Sequence, residues 1–215
     1  MLVSLYTSRV VLNTLGVEDY GTYAVVGGVV SMFGFLNSSM ASATQRFLSY
    51  EIGRNDKRQL NNVFSMSVNV HILIAVVVII LAETVGLWFL NTKLTIPVER
   101  MEAAQWIYQF SVLSFILGVL SVPYNAMIIA QERMNVYAWV SIVDVLLKLF
   151  VAFMLIWVAF DKLKLYAVLI FTVTFLITII YIGYCRLTFK ETKFSFVWET
   201  DLFGRIFSHS GWMLF

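Results

Sequence analysis

Cysteine is all but absent. Cys185 stands alone, so no internal disulfide can form and the redox compartment is left open. Charge is scarce as well: 13% of residues are Asp, Glu, Lys or Arg, against about 25% in soluble domains. A net charge of +2 is too small to argue for a nucleic-acid partner. Histidine occurs only at His71 and His209, too few to build a metal constellation. No Gly-rich phosphate loop, HExxH pair, Cys/His cluster or nucleophile elbow is found, so neither an enzyme nor a cofactor is expected. The opening stretch LVSLYTSRVVLNTLG has no basic region and no small-residue cleavage site, so no cleavable signal peptide is expected.

What fills the chain instead is apolar: 60% of its 215 residues are hydrophobic, and the mean hydropathy is +0.83. A helical span needs about 20 apolar residues to cross roughly 30 Å of hydrocarbon. The expected fold is therefore an all-α integral membrane protein, a polytopic bundle of about six transmembrane helices in one membrane domain, 1–215. The spans are expected at 1–15 (the outer part of a longer helix), 21–45, 63–90, 104–130, 136–160 and 165–185, with 206–215 beginning a seventh. β-branched residues are abundant, but the runs are too continuous for strands, and the period-2 pattern of a membrane barrel is missing. Helices close their own backbone hydrogen bonds within lipid.

Cationic residues set the expected orientation. One side carries Arg46, Arg54, Lys57, Arg58, Arg133, Arg186, Lys190, Lys193 and Arg205, and the other Lys93, Arg100, Lys162 and Lys164. The heavier side is expected to be cytoplasmic, with a cytoplasmic N-terminus and the segment GVEDYG facing outward. Tyr20, Tyr23, Trp88, Trp106, Tyr108, Trp139 and Trp157 sit near span ends and read as interfacial anchors.

Polar residues inside the spans are the candidates for function. Gly27, Ser31, Gly34, Ser38 and Ser42 recur at three- and four-residue steps, a small-residue face for close packing, with Asn37 and Gln45 beside it for a partly wet lining. The fourth span carries Gln105, Gln109, Ser111, Ser114, Gly118, Ser121 and Asn125, with Pro123 expected to bend it. That helix fits a moving cavity wall and static packing equally well. Asp144 and Lys148 lie roughly 12–18 Å into the fifth span at 1.5 Å per residue. Their i, i+4 spacing allows a salt bridge, either a self-neutralised packing pair or part of a cavity lining. A charge at such depth is expensive and usually faces the bundle interior or water. Arg9 has no nearby acid in sequence; it either snorkels to the interface or serves a site. Arg46 closes the second span, where an interfacial anchor is the plainer reading. His71 reads as a hydrogen-bonded packing residue.

Three segments carry a family resemblance. Ser8-Arg9-Val10-Val11-Leu12-Asn13-Thr14-Leu15-Gly16-Val17-Glu18-Asp19-Tyr20-Gly21 resembles the first outward turn of Wzx-type polysaccharide flippases, members of the multidrug/oligosaccharidyl-lipid/polysaccharide (MOP, MATE-like) exporter superfamily. Ala43-Thr44-Gln45-Arg46-Phe47-Leu48-Ser49-Tyr50-Glu51-Ile52-Gly53-Arg54 is similar to the loop after that family's second span. Pro123-Tyr124-Asn125-Ala126 with Ala130-Gln131-Glu132-Arg133 resembles the end of its fourth. The resemblance implies one N-terminal lobe of a two-lobed transporter in the bacterial inner membrane. Its implied work is moving undecaprenyl-pyrophosphate-linked oligosaccharide units for O-antigen or capsule synthesis, by alternating access. Implied partners are that lipid-linked substrate, membrane lipids, and polysaccharide polymerase and chain-length proteins. Arg9 and Arg46 stand at matching motif positions as pyrophosphate ligands, and depth adds Lys148 with Asp144. Asn37, Gln45 and Asn125 complete the expected cavity. Two other readings stand beside this one: a drug or cation antiporter of the same superfamily, needing acidic ion sites such as Asp144 or Glu83, and a membrane-embedded polymerase or glycosyltransferase. The longest loop, about 91–103, is too short for the latter's catalytic domain.

Overall fold

The structure, a computed structural model, describes residues 2–94, 96–158 and 161–192. Its main elements are the helices α1 (Leu2–Leu15), α2 (Val17–Ser31), α3 (Gly34–Arg54), α4 (Lys57–Leu81), α5 (Leu87–Thr92), α6 (Met101–Ala130), α7 (Met134–Trp157) and α8 (Lys162–Thr188). A π turn, Ala82–Gly86, joins α4 to α5, and short 3-10 turns occupy Val98–Arg100 and Lys190–Thr192. The described chain is helical throughout its elements, as the unbroken apolar runs require. Among the described residues, four stretches are long and apolar enough to cross a membrane: Lys57–Thr92, Met101–Ala130, Met134–Trp157 and Lys162–Thr188. Ile72, Leu73, Val76, Val77, Ile79 and Ile80 of α4 are exposed. Such a continuous apolar face is a surface for lipid.

Local chemistry explains most boundaries. Gly16 separates α1 from α2 at φ +84, a backbone region that glycine enters without strain. Asn55 ends α3 in the left-handed conformation at φ 56, which asparagine tolerates. Asp56 then caps α4, its Oδ1 accepting from the N–H groups of Arg58 at 3.1 Å and Gln59 at 3.0 Å. Asp161 does the same for α8 through the Leu163 N–H at 3.1 Å, a side-chain cap of the usual kind.

Two features depart from the sequence reading. The span expected at 21–45 is interrupted at Met32–Phe33, where Ser31 Oγ donates to Gly28 O at 2.8 Å. Secondly, the apolar run of 63–90 contains the π turn. Tyr108 Oη donates to Ala82 O at 2.7 Å, satisfying a carbonyl there. A methyl group at Gly86 would collide with that same phenol oxygen. Tyr108 is therefore fully buried and is no interfacial anchor, whereas Trp88, Trp106, Trp139 and Trp157 are exposed. α6 continues through Pro123. The seventh span expected at 206–215 lies outside the described residues.

The chain divides into two compact units. Unit 1 comprises Met1–Met32, Ile79–Leu117 and Ser141–Ile177. Its core is built from Val26, Val30, Leu90, Ile107, Tyr108 and Leu163, and from a second cluster around Val11, Val151, Leu155 and Tyr166. Unit 2 comprises Phe33–Val78, Gly118–Val140 and the residues from Thr178. Within it the rings of Phe64 and Tyr124 meet edge to face at 5.4 Å, and Cys185 Sγ lies 3.4 Å from Tyr124 O.

Candidate functional site

Within unit 1, the i, i+4 pair on α7 forms an ion pair: Lys148 Nζ donates to Asp144 Oδ2 at 2.8 Å. Lys148 lines a cavity of about 170 Å³ with Ser4, Thr7 and Ser8 of α1 and with Tyr166 and Ile170 of α8. The hydroxyls of Thr7 and Ser8 each donate back to their own helix, to Val3 O at 2.8 Å and Ser4 O at 3.0 Å, so their lone pairs face outward as acceptors. Tyr6 and Phe153, with ring centroids 6.3 Å apart, also pair α1 with α7. The structure thus brings Lys148 and Asp144 to the helix that carries Arg9. Arg9 itself is exposed and makes no ion pair or hydrogen bond with a described residue.

Arg46, Gln45, Asn37 and Asn125 belong to unit 2. Arg46 is exposed on α3, while Gln45, Asn37 and Asn125 are half-buried. The Oδ1 atoms of Asn37 and Asn125 are each buried without a hydrogen-bond partner. The small-residue face of the sequence is divided by the break at Met32–Phe33. Gly27 and Ser31 of α2 line a cavity of about 300 Å³ with Ser111 and Ser114 of α6.

Several charged contacts were not legible in the sequence. Arg100 reaches Asp19 with Nε at 3.1 Å and Asp161 with Nη1 at 3.8 Å, and Lys164 Nζ lies 2.7 Å from Glu102 Oε1. From the sequence Arg100 and Lys164 read only as loop charges and Asp19 only as part of the GVEDYG segment, while Asp161 and Glu102 carry no signal. Burial, aided by the charges of Asp161 and Glu18, holds the Asp19 carboxyl above the usual carboxylate range, although Arg100 pulls it down. A larger cleft, about 510 Å³, is lined by Leu87, Asn91, Glu102, Gln105, Trp106, Gln109, Phe110 and Leu113. Beside it Gln109 Nε2 donates to Glu83 Oε2 at 3.3 Å. Glu83 sits in the π turn, so the widened backbone helps direct that carboxylate toward α6. Among the described residues no group of three or more His, Cys, Asp or Glu gathers as for a metal.

A family model described as MatE matches residues 1–154. Of solved structures, the outward-facing conformation of a multidrug resistance MATE family transporter of the MOP superfamily is similar, with a TM-score of 0.74 at 17% identity. The match covers 99% of this chain and 49% of that one, so the chain spans about half that transporter's length. No curated protein matches it. At this identity the structural likeness speaks for the fold, that of about half of that transporter, and the family model speaks for descent. This chain belongs to the MatE family.

Proposed function

We propose that the chain forms one lobe of a transporter that turns an undecaprenyl-pyrophosphate-linked oligosaccharide across the inner membrane by alternating access, supplying O-antigen or capsule synthesis. The observation that carries this reading is Arg9. It is a cation on the first helix, exposed and without a described partner, beside a helix face that shares a cavity with Lys148. A pyrophosphate headgroup needs positive partners where water is scarce, and a guanidinium group binds phosphate oxygens in bidentate fashion. Arg46, exposed on α3, is the second proposed ligand, and Asn37, Gln45 and Asn125 supply amides to the sugar. Transporters of this architecture hold substrate between repeats, near mid-membrane. In this proposal the N-terminus is cytoplasmic, and polymerase and chain-length proteins receive the product.

The test is Arg9→Ala in the full-length transporter. Surface polysaccharide is expected to disappear while membrane abundance stays unchanged; normal export would remove Arg9 from the site. A second reading, a drug or cation antiporter, draws on the multidrug transporter whose fold is similar. It needs a free acidic site, and the two acids named for it are engaged: Asp144 by Lys148 at 2.8 Å, Glu83 by Gln109 at 3.3 Å. Exchanging Asp144 and Lys148 discriminates further. A packing pair tolerates the swap, and a substrate-binding lysine does not.

A further inference from the structure

Among the described residues, six buried side-chain atoms lack a hydrogen-bond partner: Glu51 Oε2, Asn125 Oδ1, Thr44 Oγ1, Ser67 Oγ, His71 Nε2 and Asn37 Oδ1. All six belong to unit 2. Most are pure acceptors. The Nδ1 atom of His71 lies 2.7 Å from Ser67 O, and a carbonyl only accepts, so Nδ1 carries the proton. Nε2 of the neutral ring is then a bare lone pair. A buried polar group without a partner is strongly unfavourable, and six of them strain the marginal stability of a folded chain. Something that donates hydrogen bonds is needed there.

Helical rise places these atoms in sequence along the unit. Counted at about 1.5 Å per residue from the turns at Asn55–Asp56 and Gln131, Glu51 stands roughly 6 Å in and Asn125 roughly 9 Å. By the same count Thr44 and Ser67 share a height of roughly 16 Å, His71 lies at roughly 22 Å, and Asn37 at roughly 27 Å. Asn37 and Thr44 share a face of α3, seven residues apart. Phe64, Ser67 and His71 share a face of α4, and Phe64 on that face packs on Tyr124, the neighbour of Asn125. No step in height exceeds roughly 7 Å by the same count; packed helix axes lie about 8–10 Å apart, so it takes a chain of several waters to link ligands on different helices. The low end meets a polar cavity of about 370 Å³ among the turns, lined by Glu51, Asn55, Asp56, Lys57, Gln131 and Arg133.

We propose that unit 2 holds a column of bound water running from this turn cavity to His71 and Asn37, with the six unpartnered atoms as its ligands. The donor set suits water: amide oxygens, hydroxyls, one imidazole nitrogen and a single carboxylate, each short of a donated hydrogen bond. Each buried water typically makes about three such bonds. Asn37 and Asn125 are shared with the proposed sugar site; Glu51, Thr44, Ser67 and His71 are not, and that part of the column rests on no reading of what the lobe carries.

X-ray-triggered hydroxyl-radical labelling tests it on the unaltered chain in lipid nanodiscs, because radicals born from bound water oxidise buried neighbours. Met66, Phe64 and Met127 are fully buried, and each lies within three residues of a column ligand. They are expected to label at rates comparable to exposed Met134. If they stay unlabelled while Met134 reacts, the column is dry and the proposal fails. Ser67→Ala and Thr44→Val give a second readout. Removing a ligand of bound water is expected to lower Tm by about 2–4 °C; a rise in Tm would mean that the hydroxyls were orphaned, and would overturn the proposal.

Discussion

α4, α6, α7 and α8 each contribute residues to both compact units, yet the units handle polarity in opposite ways. In unit 1 charged and polar side chains find one another: Asp144 with Lys148, Asp19 and Asp161 with Arg100, Glu102 with Lys164, and Tyr108 with the carbonyl of Ala82. In unit 2 the ion pairs that form, Arg54 with Glu51 at 3.9 Å and Lys57 with Glu191 at 3.7 Å, have cations that are largely exposed. Its interior also keeps amide, hydroxyl and imidazole atoms and one carboxylate oxygen, Glu51 Oε2, without protein partners. The buried side-chain atoms left without a partner among the described residues all fall in unit 2, whereas the cation without a described partner, Arg9, falls in unit 1.

The comparison breaks most readily at Arg100. Arg100→Ala leaves Asp19, whose side chain is 12% exposed, without its cation, a loss expected near about 3 kcal/mol, the upper end for a buried group left unpaired. Arg54→Ala in unit 2 removes a cation that is 56% exposed, and exposed pairs contribute at most about 1 kcal/mol. Thermal unfolding in nanodiscs reads both. Equal losses would show that the ion pairs of the two units do not differ in kind.

Which parts of this contrast were readable in the sequence follows from how local each one is. Asp144 and Lys148 stand one helical turn apart, so spacing alone implied their contact, and the long apolar runs of α6, α7 and α8 made those helices legible. The break at Met32–Phe33 was hidden because the apolar run continues across it. The π turn was hidden for another reason: Ala82-Glu83-Thr84-Val85-Gly86 suits an ordinary helix, and its distinguishing partner, Tyr108, belongs to a different helix. Arg100 joins residues far apart in the chain, so periodicity carries no trace of it. Depth in a span pointed to Lys148 but could not show its neighbours in α1. The position of Arg9 was legible; its lack of a described partner became visible only in the fold.

The π turn sharpens the comparison with a somewhat smaller effect. Gly86→Ala places a methyl group against Tyr108 Oη, and overpacking of this sort costs about 1–3 kcal/mol. Tyr108→Phe alone strands the Ala82 carbonyl at a cost of about 0.5–1.5 kcal/mol. The double variant is expected to recover much of the Gly86→Ala loss, since the colliding atom is gone. Additive losses in Tm would mean that the phenol and the glycine are not matched to each other.

The smallest effect separates the units by pH. The Asp19 carboxyl sits above its ordinary value of 3.8 because burial disfavours its charge. Below 3.8 the folded and unfolded chains both hold this proton, and the site is neutral to stability or favours the fold. As pH rises past 3.8 the unfolded chain releases the proton first, while the folded chain keeps it until its higher value is passed. Stability contributed by this site is therefore fully present below the unfolded value and lost as pH climbs through the folded one. Acidifying from neutral pH into the range just above 3.8 recovers it. In the Asp19→Asn variant that recovery is absent, so its Tm is expected to gain less on acidification than the parent's, with Arg100 still held by Asp161. Thr44→Val and Ser67→Ala remove uncharged groups from unit 2 and are expected to displace the whole curve without changing its slope. If Asp19→Asn leaves the slope untouched, or Thr44→Val tilts it, the distinction between a titrating buried carboxyl in unit 1 and an uncharged hydroxyl in unit 2 does not hold.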